Sequence, residues 1–161
     1  MSVPGTDFLR KFRRCSNRER LMLAEALLLL LVAALTLRFV PFRRVGSLIS
    51  GSVNVLPDAQ RRTDIAWLVA WAVDRAAKRS PLRSMCFERG LAAQWMLRRR
   101  GVDGTLFFGV APRPMGQKAL DAHVWVRAEG LDVTGTPAPG QYAVLATFPA
   151  GRQGAEGAIA A

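Results

Sequence analysis

Cys86 and His123 are the residues with which this chain could do chemistry. Cys86 lies in Arg83-Ser84-Met85-Cys86-Phe87-Glu88-Arg89-Gly90-Leu91, where a helix should begin. His123, the only histidine, lies in Ala122-His123-Val124-Trp125-Val126-Arg127, which reads as a strand. At a helix start the macrodipole and the free N–H groups favour a thiolate. An imidazole within reach could take the thiol proton and return it later. A cysteine on a helix and a histidine on a strand, 37 residues apart, suit a thiol nucleophile and its base. The bland alternative for Cys86 is a small buried apolar side chain. In that case the chain is a basic helical module with no visible chemistry.

The elements that must position this pair can be read from period and punctuation. Ser16 and Glu19 form a capping box, and the helix they open runs to about Phe39, where Pro41 stops it. Its middle is apolar all round, as for a helix covered on several sides. Residues 43–57 read as a linker or long loop. Pro57-Asp58 starts a second helix with Ile65, Leu68, Val69, Ala72, Val73 and Ala76 in one stripe, and Ser80-Pro81 ends it. Trp67 and Trp71 flank the stripe and read as packing residues. A third helix runs from about Ser84, a candidate N-cap, to Arg100, with Gly101 as its C-cap. The period then changes. Residues 104–110 read as a buried strand, 111–120 as a loop, and 123–128 and 131–134 as a hairpin about Glu129-Gly130. Residues 141–148 read as a last strand. Helices followed by a small antiparallel sheet make an α+β domain. The expected organisation is a basic N-terminal segment with an apolar helix (1–50), a catalytic core (51–150) and a disordered tail (151–161).

Bulk properties narrow the function. With 161 residues the chain has enough core to fold without disulfides. Cys15 and Cys86 give no sign of pairing, so a reducing, cytoplasmic setting is the simpler expectation. Two cysteines and one histidine lack the clustered spacing of a zinc site, and no cofactor is implied. The net charge of +11 is uneven: residues 1–100 carry +12 and the remainder −1. The arginines are scattered without a nucleic-acid motif, so nucleic acid is not an expected partner. The apolar run Ala26–Leu37, interrupted only by Thr36, is short for a spanning helix. A signal peptide would need small residues where Arg38-Phe39-Val40-Pro41-Phe42 follows. A buried or partner-facing helix is favoured, with peripheral membrane contact as the alternative.

Several local words, taken in order, carry a more specific resemblance. They are Cys86-Phe87-Glu88-Arg89-Gly90-Leu91-Ala92, Leu97-Arg98-Arg99-Arg100-Gly101, Gly109-Val110, Ala122-His123-Val124-Trp125-Val126 and Tyr142-Ala143-Val144-Leu145-Ala146. Together they resemble the transglutaminase-like branch of the papain-type fold. Within it they resemble the leader peptidases of lasso-peptide biosynthesis, the C-terminal peptidase part of that family's B proteins. The likeness covers roughly residues 16–148, because Leu37-Arg38-Phe39-Val40-Pro41-Phe42 also resembles that family's N-terminal segment. It implies a cysteine protease that cuts the leader from a ribosomally made precursor peptide. It also implies an asparagine-synthetase-like cyclase as partner, to join the freed amine to an acidic side chain. A leader-binding module would need a strand-rich segment, whereas the N-terminal part here reads helical. A separate leader-binding protein is therefore implied. True transglutaminases, amidases, and a non-catalytic scaffold binding leader, cyclase or membrane are the alternatives.

The resemblance also implies an aspartate about a dozen residues after the histidine. That position falls close to Gly135, which has no side chain with which to orient an imidazole. Asp132 is the nearest carboxylate and the nominal third catalytic residue. A straight two-residue hairpin pairs Arg127 with Asp132, Trp125 with Thr134 and His123 with Thr136. Asp132 is then about 13 Å from His123 along the sheet, too far for a hydrogen bond. A bulge could bring another group into place, and a hydroxyl or backbone carbonyl is an equal candidate. Asp121 is expected on the opposite face of the strand.

Overall fold

The computed structural model describes residues 16–41, 44–45, 53–80, 86–112 and 120–149. Three helices come first: α1 (Asn17–Phe39), α2 (Ala59–Ala77) and α3 (Cys86–Arg98). Four strands follow: β1 (Gly104–Pro112), β2 (Leu120–Ala128), β3 (Leu131–Thr134) and β4 (Ala143–Phe148). They form one antiparallel sheet in the order β3-β2-β1-β4. This is the expected α+β architecture, helices first and sheet second. Cys15, Ser84 and the C-terminal tail lie outside the described residues.

Local chemistry sets the helix starts. Ser16 Oγ accepts the N–H of Glu19 at 3.3 Å, and the Glu19 carboxylate accepts the N–H of Ser16 at 2.7 Å. The backbone and hydroxyl of Ser16 hold the Glu19 carboxyl below the usual carboxylate range. Asp58 caps α2 by accepting the N–H of Arg61 at 3.1 Å.

The core forms where the three helices meet and where α3 lies on the sheet. Met22, Ala26, Leu30 and Ala33 of α1 are buried with Ile65, Val69 and Val73 of α2 and Leu91, Met96 and Leu97 of α3. Glu25 fastens α1 to the end of α3 through Arg99, at 3.3 Å, and through a closer two-pronged contact with Arg100. Against the sheet, α3 sits close because Gly90 has no side chain. A Cβ there would stand 2.8 Å from Val124 Cγ1.

Two packing expectations change. The middle of α1 is not covered on several sides: its inner face is core, while Leu21, Leu28, Leu31, Val32, Leu35 and Phe39 are exposed. Trp67 is exposed too, and Trp71 is half-buried with the Arg75 guanidinium 5.2 Å from its ring centroid.

The hairpin carries the register that decides the site. Glu129 and Gly130 both have positive φ, 51° and 74°, as a tight turn joining right-twisted strands requires. Arg62 of α2 holds this turn, its Nε 2.9 Å from Glu129 and its Nη1 2.6 Å from the Leu56 carbonyl oxygen. Arg127 faces Asp132 and forms an ion pair with it at 3.0 Å. Beyond that pair the straight register fails. Thr134 faces Val126 instead of Trp125, with Val133 the extra residue of a bulge. The Thr134 hydroxyl accepts the Val126 N–H at 3.0 Å, so a side chain takes the place of a ladder bond.

Candidate active site

Strand alternation gathers the polar residues of β2. Asp121, His123 and Trp125 lie two apart and share one face, while Val124 and Val126 face α3 and the core. Asp121 is therefore on the face of His123, not on the opposite one. A spacing of two residues dictates this, so the signal was present in the sequence. On β1, Phe107 and Gly109 stand opposite Trp125 and His123. Phe107 and Trp125 stack nearly parallel, with ring centroids 5.4 Å apart. The His123 ring lies 5.9 Å from that of Trp125, making the buried tryptophan a wall of the site.

Tyr142, just ahead of β4, closes the cluster. Its ring centroid is 5.3 Å from that of His123, and its hydroxyl donates to Asp121 Oδ2 at 2.6 Å. Gly109 makes room for it: a Cβ there would stand 3.0 Å from both the Trp125 ring and Tyr142 Cβ. The Tyr142 hydroxyl titrates above the ordinary phenol value. Its bond to the Asp121 carboxylate is the main cause, followed by burial and by the negative charges of Asp121 and a Cys86 thiolate. Sequence reasoning assigned Tyr142 no role, because β4 reaches this place only through a register shift between Phe108 and Gly109.

The group that orients His123 is not Asp132. The Asp132 carboxylate belongs to the ion pair with Arg127, four strand positions away. His123 Nε2 instead lies 2.6 Å from the carbonyl oxygen of Gly135. A carbonyl only accepts, so this bond requires the proton on Nε2, and in the neutral imidazole Nδ1 is then the nitrogen that keeps the lone pair. The bulge at Val133 is what brings the backbone of residue 135 to the imidazole. Gly135 also has a positive φ, 22°, and a Cβ there would stand 3.7 Å from Nε2. The position that lacks an orienting side chain thus supplies an orienting backbone oxygen.

Cys86 is the first described residue of α3, half-buried and not in a disulfide. Phe87 behind it packs on Phe108, ring centroids 6.2 Å apart, which anchors the helix start to β1. Cys86 makes no hydrogen bond to His123; the Tyr142 ring packs on the imidazole, and a negative charge on Cys86 would be a minor further cause of the raised Tyr142 titration. Among the described residues, no three of His, Cys, Asp and Glu cluster as a metal site. A shallow concavity at the hairpin end, lined by Val55, Arg62, Asp103, Thr105, Arg127 and Glu129, contains neither Cys86 nor His123.

The pieces are thus a thiol at the start of the described part of α3, a strand imidazole bonded through Nε2 to Gly135, and aromatic rings of Trp125 and Tyr142 packed against that imidazole. Comparison with curated proteins and with solved structures gave no match. The family profile described as the transglutaminase-like superfamily matches residues 27–147, which include all three helices in whole or part and the sheet to within one residue of its end. The chain belongs to the transglutaminase-like superfamily, whose members are commonly cysteine peptidases or acyltransferases, usually with Cys-His-Asp chemistry.

Proposed function

We propose that this chain is a cysteine peptidase that removes the leader from a ribosomally made lasso-peptide precursor, before a partner cyclase closes the ring. The observation that carries a thiol mechanism is the bond between His123 Nε2 and the Gly135 carbonyl oxygen. It leaves Nδ1 as the basic nitrogen and fixes the ring plane. The lasso-specific part rests on the ordered words from Cys86-Phe87-Glu88-Arg89-Gly90 to Tyr142-Ala143-Val144.

In this reading His123 Nδ1 takes the proton of Cys86. The thiolate attacks the carbonyl carbon of the scissile bond. The resulting oxyanion is held by backbone N–H groups at the start of α3, that of Cys86 first. As the C–N bond breaks, the imidazolium gives its proton to the leaving amine, the new N-terminus of the core peptide. Water then attacks the thioester, gives a proton to His123, and releases the leader as a carboxylic acid with the thiol restored. The bond from thiol to imidazole closes as substrate binds, since catalytic hydrogen bonds are often long without it. A separate leader-binding protein presents the substrate, and an asparagine-synthetase-like cyclase consumes the amine.

The test is mass spectrometry of a precursor incubated with this protein and its leader-binding partner. Cutting at one bond, with a free leader acid and a free core amine, supports the peptidase. A leader joined to an added amine would indicate a transglutaminase-like transferase instead. An intact precursor, with the partner shown to bind it, would indicate a non-catalytic scaffold.

A further inference from the structure

The outer face of α1 has no role in the thiol chemistry. At 3.6 residues per turn, Leu21, Ala24, Leu28, Leu31, Val32, Leu35 and Phe39 fall within an arc of about 100°. All seven are exposed, Leu28 by 59 % and Leu35 by 49 %. The stripe runs for roughly 27 Å along the helix. The buried residues Met22, Leu23, Ala26, Leu30 and Ala33 occupy the opposite arc. The same helix is therefore a core element on one side and an apolar surface on the other.

Charge says what kind of surface it meets. Arg18 and Arg38 are exposed and stand at the two ends of the stripe, each about 80° from its midline. The fifteen residues before Ser16's helix carry four basic side chains and one acidic. The carboxylates of α1 are turned to other work: Glu19 closes the cap, and Glu25 is held by Arg99 and Arg100. An apolar stripe framed by cations and free of available anions matches a layer of acyl chains bordered by phosphates.

We propose that the outer face of α1 docks the folded protein on an anionic lipid surface, with the helix lying in the plane of the headgroups. By length and composition α1 could cross a membrane. It lies on the surface instead, because its other face is the core and Glu25 ties it to α3. Docking leaves the Cys86–His123 region on a different element, so this proposal stands independently of the peptidase reading.

The test is flotation of the full chain with vesicles of phosphatidylcholine plus phosphatidylglycerol, and with phosphatidylcholine alone. Wild type should float with the anionic vesicles only, and added salt should release it. The double variant Leu28→Glu, Leu35→Glu should lose about tenfold or more of this binding while keeping the wild-type circular dichroism spectrum. A second pair, Leu21→Glu with Phe39→Glu, gives the same reading at the ends of the stripe should the first pair misfold. No flotation of wild type would overturn the proposal. So would binding that neither pair weakens. Self-association of the wild type that the variants abolish, without vesicle binding, would assign the face to a second copy of the chain and would also overturn it.

Discussion

The imidazole of His123 takes its orientation from the backbone of Gly135, whose carbonyl oxygen lies 2.6 Å from Nε2. Peptide carbonyls are weaker acceptors than carboxylates, but they are fixed by the chain itself. Thiol chemistry tolerates the weaker partner, because cysteine is a better nucleophile than serine at neutral pH.

Gly135 should therefore tolerate substitution poorly. Its positive φ strains any larger residue, and a Cβ would touch the imidazole edge. Gly135→Ala should lower stability by about 1 kcal/mol, seen in chemical denaturation. It should lower precursor cleavage about tenfold or more in kcat, with KM little changed, because the carbonyl moves while the peptide-binding surface does not.

Asp132 gives the opposite expectation. Its carboxylate is half-exposed and paired with Arg127. Asp132→Asn should retain cleavage within about threefold of wild type, and lose less than about 1 kcal/mol of stability. A loss as deep as that of Cys86→Ala would return Asp132 to the catalytic set.

Tyr142 is the only tyrosine in the chain, so its ionisation can be followed alone by ultraviolet absorbance. The bond to Asp121 stabilises the neutral phenol, and the carboxylate charge opposes the phenolate. The titration midpoint should lie above the ordinary value of about 10 and fall towards it in Asp121→Asn. The sign carries over to stability. A phenol whose pKa is raised on folding contributes fully below pH about 10, and that contribution is lost as the pH climbs through the folded-state value.

Glu25 joins α1 to the end of α3. It is largely buried and faces two arginines. Glu25→Gln should cost roughly 1–2 kcal/mol in denaturant unfolding, and most of that cost should persist in high salt, because a largely buried ion pair is screened little. Removing this tie should not change the cleavage position, because Glu25 belongs to neither the Cys86 helix start nor the His123 strand.

Much of the fold was legible because it is decided locally. The box of Ser16 and Glu19, the cap Asp58, the turn Glu129-Gly130 and the pairing of Arg127 with Asp132 each depend on residues a few positions apart. What failed was the step after Asp132. A strict period of two assumes that backbone meets backbone, and the Thr134 hydroxyl breaks that rule by bonding the Val126 N–H. The orienting atom on Gly135 is a main-chain oxygen, which no side-chain pattern marks. Asp121 was misplaced although its spacing from His123 was visible. Tyr142 depends on how β4 pairs with β1 across a shift, a relation between distant segments. The exposure of α1 was hidden for another reason: a helix that is apolar all round does not say which side is covered.

The most direct measurement compares precursor cleavage by wild type, Cys86→Ala and His123→Ala under one set of conditions, with each variant checked for folding by circular dichroism. The expected result is cleavage at a single bond by wild type, none by Cys86→Ala, and a loss of about a hundredfold or more in His123→Ala. Cleavage by Cys86→Ala at the wild-type rate would contradict the assignment of Cys86 as nucleophile, and with it the pairing of the α3 thiol with the β2 imidazole.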